Sequence, residues 1–293
     1  MSRSLLRSLP GIALGSIFLA AGFLKAVDPA EFARQIETYG VVGGRAATLL
    51  AYLIIPLELA LGTALVVAFR PRLAAAATGL LLLVFMGATA YAWSQGKTEG
   101  CGCFGSVVSR TPGEVLLEDA FFLALALLAL LAAPRQAAWL GWRLGTVLAV
   151  VLAAGVVLPA SAYALPLDAL VTDLKVGRRI DELPLKESPV DLSKGRYVVA
   201  LLDLNAADAR ETVKRLNQIG AVAKAPGVIA FYGGEVDEKT IFCFNTQPKF
   251  EVVAVPRADL KRLFRRLPRF FQLDDGKVSR IWDQAPPRIE EGS

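Results

Sequence analysis

Cys101-Gly102-Cys103-Phe104-Gly105 lies in a short polar loop, residues 94–113, between two long apolar runs at 73–93 and 114–133. Each run has about the twenty apolar residues that a helix needs to cross a bilayer. Three more such runs lie outside them, at 9–27, 46–69 and 144–165. The loop is therefore read as a connection between two transmembrane helices, with a pair of thiols at the membrane edge. Two of the three cysteines in the chain are in this loop, one residue apart. The glycine between them lets the backbone bring the sulfurs together. A disulfide across so short a span is strained and easily reduced. A labile redox pair is the first reading. Half of a metal site and a purely structural role are the others. A closed zinc site takes four ligands, but the chain has no histidine and only one further cysteine, Cys243. No metal site is therefore expected.

Hydrophobic residues make up 54% of the chain, and mean hydropathy is +0.48. Charge is concentrated in one half: residues 1–164 hold 11 Lys/Arg and 8 Asp/Glu, residues 165–293 hold 21 and 19. The first half reads as a membrane domain and the second as a soluble one. The net charge of +5 is split between them, so no basic face argues for nucleic acid. The absence of histidine excludes Ser-His-Asp hydrolysis, Cys-His proteolysis and His-ligated metal catalysis within this chain.

The basic start, Arg3 and Arg7 before an apolar run, resembles a signal peptide. With four more runs behind it, it is read as a first span that stays attached. Gly11, Gly15 and Gly22 suggest close helix packing. Lys25, near the end of this span, is expected to snorkel to the interface. Asp28-Pro29 reads as a cap opening a short surface helix. The second span carries Glu58 two residues after Pro56. A carboxylate at that depth should face the bundle interior, as a proton or quinone contact, as a partner of Lys25, or as a protonated group between helices. Glu118 and Asp119 begin the fourth span, and are read as capping its N-terminus rather than as raising the pKa of the nearby thiols. The links at the N-terminus, 70–72 and 135–143 hold six Lys/Arg and no acids, in very short segments. The positive-inside rule then places the N-terminus in the cytoplasm and, after five spans, the cysteine pair and C-terminal half outside it, in the periplasm of a cell with an inner membrane. That is also where disulfides persist.

In the second half, residues 166–190 read as a linker. Strands are predicted at 197–202, 227–232 and 250–255, and helices at 206–219, 236–244 and 257–267. Asp274-Asp275-Gly276 marks a closing hairpin. The pattern is that of an α/β domain with a central sheet. The six Lys/Arg of 257–269 read as a solvated helix face, with anionic headgroups as the other partner. Cys243, between Phe242 and Phe244, reads as a buried apolar residue.

The membrane half resembles the MauE branch of the DoxX-like membrane proteins. The resemblance is carried by Gly15, Phe18, Gly22 and Lys25 before Asp28-Pro29, by Pro56 and Glu58, and above all by the Cys101–Gly105 motif. It implies a four-helix membrane bundle, domain 1–133, to which residues 134–165 add a fifth transmembrane helix. It also implies extracytoplasmic thiol redox, in a family associated with maturing the disulfide-rich small subunit of methylamine dehydrogenase. Residues 191–293 resemble a thioredoxin-like domain of the membrane-tethered thiol-reductase type. Asp191-Leu192 and Lys194-Gly195 precede the first core strand, Leu267-Pro268 matches the position of the cis-proline, and Arg210 is retained. Ala206 and Ala209 stand where that type has its two thiols, so the domain lacks the Cys-x-x-Cys chemistry. The two resemblances imply a membrane protein that uses Cys101 and Cys103 to support disulfide formation or maturation of an exported client, directly or through a thiol-redox carrier. Lys25 and Glu58 would line an internal cavity for a quinone. Ala206, Ala209 and Pro268 would form a binding face. The alternative is a non-enzymatic scaffold in a maturation complex.

Overall fold

The computed structural model describes residues 3–97, 110–133, 141–165, 167–185, 188–221, 226–234 and 236–287. Cys101 and Cys103 lie outside the described residues. The chain divides into two compact units, residues 1–167 and 168–293.

The first unit is helical: α1 Arg3–Val27, α2 Pro29–Thr38, α3 Arg45–Val66, α4 Pro71–Ser94, α5 Pro112–Ala132 and α6 Gly141–Ser161. Among the described residues, five helical stretches are long and apolar enough to cross a membrane, namely 8–27, 45–66, 71–94, 112–132 and 145–164. With few polar groups to pair, such helices associate by close packing, which small residues permit. A Cβ on Gly15 would stand 2.7 Å from the Gly62 carbonyl, and one on Gly62 would stand 2.8 Å from the Gly15 carbonyl. The backbones of α1 and α3 thus meet at these two glycines. Gly22 lies against Leu59, whereas Gly11 has only ordinary contacts. The fifth span joins the bundle in the same way, with Gly155 of α6 set against Pro56 of α3.

The polar corners decide the helix ends. Asp28 caps α2 by accepting from Glu31 N–H at 3.2 Å, as the sequence predicts. The N-terminus of α5 is closed by a Thr111–Glu114 capping box, and Glu118 pairs with Arg110. The expected capping by Glu118 and Asp119 is therefore replaced by residues one to two turns earlier, which reach the unpaired amides of the first turn.

The second unit holds a five-stranded sheet in the order β3-β2-β1-β4-β5. Its strands are β1 Arg196–Leu202, β2 Gly227–Tyr232, β3 Glu251–Ala254, β4 Arg269–Asp274 and β5 Lys277–Asp283. β1 runs parallel to β2 and antiparallel to β4, so Val199 faces Ile229 on one side and Phe271 on the other. β2 and β3 are parallel, and β4 and β5 form an antiparallel hairpin. The predicted turn closes it, with Asp275 and Gly276 at φ 47° and 75°, the left-handed pair of a two-residue hairpin turn. The central strands are apolar on both faces, as sheets covered on both sides are. Val198, Ala200 and Leu202 pack with α8 Ala209–Gly220 and α9 Val236–Thr246, through Val213, Leu216, Ile219 and Phe242. Val199 and Leu201 pack on the other face with Leu174, Leu183, Leu185, Leu260 and Leu263.

Four expectations are corrected here. Residues 166–190 are not a free linker: the strip after α7 Asp168–Val171 covers one face of the sheet, because Leu174, Leu183 and Leu185 are buried there. The helix read at 206–219 begins only at Ala209. The helix read at 257–267 is α10 Arg257–Lys261 alone. Its basic run is a solvated face only in part: Arg257, Arg262 and Arg266 are exposed, whereas Lys261, Arg265 and Arg269 are buried. Arg265 and Arg269 lie 3.4 and 3.5 Å from the Asp168 carboxylate, and Arg269 also pairs with Asp283 at 3.0 Å. Arg262 reaches Asp173 at 2.7 Å.

Candidate functional site

Charge inside the apolar bundle converges on Lys25. Asp28-Pro29 ends α1 and turns the chain into α2, whose Phe32 and Ile36 are buried. That helix roofs the end of α1. Lys25 is consequently only 4% exposed and does not snorkel, which corrects the sequence expectation. Its ammonium instead pairs with Glu58 of α3, and Glu58 is 1% exposed. The Nζ lies 4.8 Å from the ring centre of Phe32 and 5.1 Å from that of Phe85, within reach of a cation–π attraction. The second oxygen of Glu58, Oε2, is buried with no hydrogen-bond partner among the described residues.

Asp119 is the third member, and the sequence reading assigned it elsewhere. It is 1% exposed and interacts electrostatically with Glu58. The missed signal is its spacing. Val115, Asp119, Phe122, Ala126 and Ala129 form the buried stripe of α5, at the three- and four-residue steps of one helix face. Asp119 belongs to that stripe, while Glu118 is turned away from it to Arg110.

Beside these groups is a cavity of about 210 Å³, to which each of the first five helices contributes. Its polar lining residues are Lys25, Gln35, Tyr39, Thr89 and Asp119; the remainder are aliphatic or phenylalanine. Glu58 stands behind Lys25 and does not line it. The lining residues Val41, Leu50 and Val84 are exposed, so the cavity reaches the outer surface of the bundle. Thr89 lies in the last turns of α4 and Val115 in the first turn of α5. Those two helix ends bracket the loop of Cys101 and Cys103. An enclosed ammonium with carboxylates nearby can hold an uncharged polar group by hydrogen bonds, while the apolar walls take up the hydrocarbon around it.

The second predicted face is in the soluble unit. Ala206, Ala209 and Pro268 come together there around a dent of about 10 Å³, with Phe242, Thr212 and Asp203, roughly the room of one water. The Leu267-Pro268 bond is cis. Asp203, Asp208 and the Thr212 hydroxyl are the polar groups at its edge, and no cysteine is among its lining residues. Cys243, expected to be buried, is only half-buried and packs on the α8 face of the sheet.

Residues 3–132, a little under half of the chain, match the family model for methylamine utilisation protein MauE. No curated protein matches the chain, and no solved structure does. The match and the five apolar helices fit a membrane protein related to methylamine utilisation.

Proposed function

We propose that a chain whose membrane half matches this methylamine utilisation family works in extracytoplasmic thiol/disulfide exchange, with Cys101 and Cys103 as the working pair. The observation that carries the reading is the family match over 3–132, which brackets the cysteine loop. The geometry supports it, since the buried Lys25 cavity lies at the helix ends that flank that loop. In the exchange, the Cys101–Cys103 disulfide accepts two electrons from two thiols of an exported client or a thiol-redox carrier. The client leaves with a disulfide, and Cys101 and Cys103 are left as thiols carrying the client's two protons. Attack is by the thiolate, as in any such exchange. The N-terminus is cytoplasmic in this reading, and the soluble unit stands outside the cytoplasm.

The soluble unit is read as a thioredoxin-like binding platform without its own redox centre. Its strand order, the cis Leu267-Pro268 bond and the grouping of Ala206 and Ala209 beside it support that reading. The same grouping favours a second reading, in which the whole chain is a scaffold and the cysteine pair a permanent structural disulfide.

Trapping thiols in intact membranes with an impermeant alkylating reagent, against defined redox buffers, separates the two. Exchange predicts a midpoint of roughly −120 to −270 mV, and a structural bond predicts oxidation persisting below about −300 mV. In a Cys101→Ser protein, exchange predicts normal abundance with loss of client oxidation. The scaffold predicts lowered stability with client maturation retained.

A further inference from the structure

The exposed arginines of the soluble unit stand beside the point where the chain enters it from the membrane. The last apolar stretch, 145–164, has 20 residues, enough to cross the hydrocarbon and end at its edge. Asp168 follows Ala164 by four residues, which reach about 14 Å at most when fully extended. The headgroup layer beyond the hydrocarbon is about 5–8 Å deep. Asp168 is thus tethered close to the headgroups, and so is whatever packs on it. Arg265 and Arg269 pair with its carboxylate. Arg262 is fixed to Asp173 by a salt bridge at 2.7 Å and by its carbonyl, which accepts from Asp173 N–H at 2.8 Å.

The sheet gathers these groups at one end. Arg269 pairs with Leu201 near the C-terminal end of β1. Arg257 stands against Gly233, just past the C-terminal end of the parallel strand β2. Arg266 lies 2.8 Å from the Gln284 side chain, just past the end of β5, where Asp283 faces Arg269. Leu260, Leu263, Arg265 and Arg269 are buried, which leaves Arg257, Arg262 and Arg266 on the outer side. Residues 257–269 hold six Lys/Arg and one acid, Asp259. On the other face of the sheet the sign changes, with Asp203 and Asp208 at the start of α8.

We propose that Arg257, Arg262 and Arg266 seat the soluble unit on anionic phospholipid headgroups, with α8 turned away from the membrane. The guanidinium fork matches phosphate oxygens, and the short tether keeps the local concentration of headgroups high, so few arginines are needed. The inference concerns lipid and one unit alone and does not depend on thiol exchange.

The test uses the full-length chain with a fluorescent amino acid introduced by stop-codon suppression at Ala258, or at Lys214 of α8; both positions are exposed. The chain is placed in nanodiscs that contain headgroup-nitroxide phosphatidylcholine, with or without phosphatidylglycerol. Quenching reads distance to the headgroups, and both leaflets are alike, so the orientation of the chain has no influence. With phosphatidylglycerol, quenching at Ala258 should exceed that at Lys214. It should fall to the neutral-lipid level at about 1 M salt, where the screening length is about 3 Å. Each arginine removed should shift the equilibrium about fivefold toward the undocked state. Arg257→Gln/Arg266→Gln, which leaves the Asp173 pair intact, should therefore shift it roughly 25-fold, and Arg257→Lys/Arg266→Lys should retain most docking. Should the double glutamine variant not fold, Arg257→Glu, at an exposed position, should weaken docking at least as much as losing one arginine. Equal quenching in neutral and anionic discs, equal quenching at the two labels, or docking unchanged in the folded arginine variants would each overturn the assignment. So would an unquenched Ala258 label in every lipid, the result expected if these arginines bind an acidic protein instead.

Discussion

Lys25 and Glu58 are each unfavourable in hydrocarbon and are tolerated together. Removing one partner leaves the other as an uncompensated buried charge, a loss of about 3–5 kcal/mol in buried pairs. Lys25→Met should therefore lower the thermal midpoint of the membrane unit sharply in nanodiscs. Lys25→Met/Glu58→Met, which removes both charges, should recover most of that loss. A double variant as unstable as the single one would mean that the pair is not what holds these charges. Both residues stand out in the sequence as lone charges in apolar runs. Their pairing does not, because it depends on how far α1 and α3 slide along each other. Asp119 was legible through its place on the buried stripe of α5, but proximity to the helix start suggested a cap instead. A cap needs a free backbone amide within reach, and Thr111 and Glu114 had already taken those.

The slide of α1 on α3 is set by elements meeting at Gly15 and Gly62. A side chain at either glycine must push the two backbones apart, because what it meets is a carbonyl rather than a flexible chain end. Gly15→Leu should cost about 1–3 kcal/mol as an overpacked contact. Thr111→Ala, which opens the α5 capping box, should cost about 1 kcal/mol. Both are read as shifts of the unfolding midpoint, and a Gly15→Leu protein as stable as the parent would refute the close crossing. Helix α2, with its Asp28 cap, was legible in the sequence. The end of α10 was not, although Leu260, Leu263, Phe264 and Leu267 keep helical spacing. Arg269 donates to the Leu263 carbonyl at 3.0 Å and Lys261 to the Arg265 carbonyl at 3.3 Å. Buried cations thus take carbonyls that a longer helix would have used, an arrangement fixed by tertiary contact. Likewise, Asn205 N–H donates to the Asp203 carboxylate at 3.0 Å, and such local bonds favour a turn over the first turn of α8. In the β4–β5 hairpin, a hydrogen bond from Ser279, then one from Gln272, holds the Asp274 carboxyl below the usual carboxylate range despite partial burial. Its folded value is depressed, so its contribution to stability is present above the ordinary carboxylate range. That contribution disappears as pH falls through the folded value. Asp274→Asn should flatten the acid limb of the unfolding profile of the soluble unit, and an unchanged limb would count against the bond.

At the scale of the whole chain, the boundary between the two units is the feature the sequence concealed. Prolines and mixed charges at 166–190 have the composition of a linker, and periodicity is weak there because the chain crosses the sheet as an irregular strip. The fold nonetheless anchors that strip by charge and by apolar contact. Asp168 lies between Arg265 and Arg269, Thr172 accepts from Arg269 at 3.2 Å, and Leu174, Leu183 and Leu185 are buried on the sheet. Losing a buried leucine typically costs about 2–5 kcal/mol, and a domain of this size is stable by about 5–15 kcal/mol in total. Removing the strip removes three such leucines and leaves the buried Arg265 and Arg269 without Asp168. Residues 168–293 expressed alone should therefore unfold cooperatively in urea, whereas residues 191–293 should show no cooperative transition. A cooperative transition of equal midpoint in both would mean that the strip only rests on the sheet. The predicted outcome would instead make the strip part of the soluble fold and leave only the few residues between Ala164 and Asp168 to connect the last membrane helix to it.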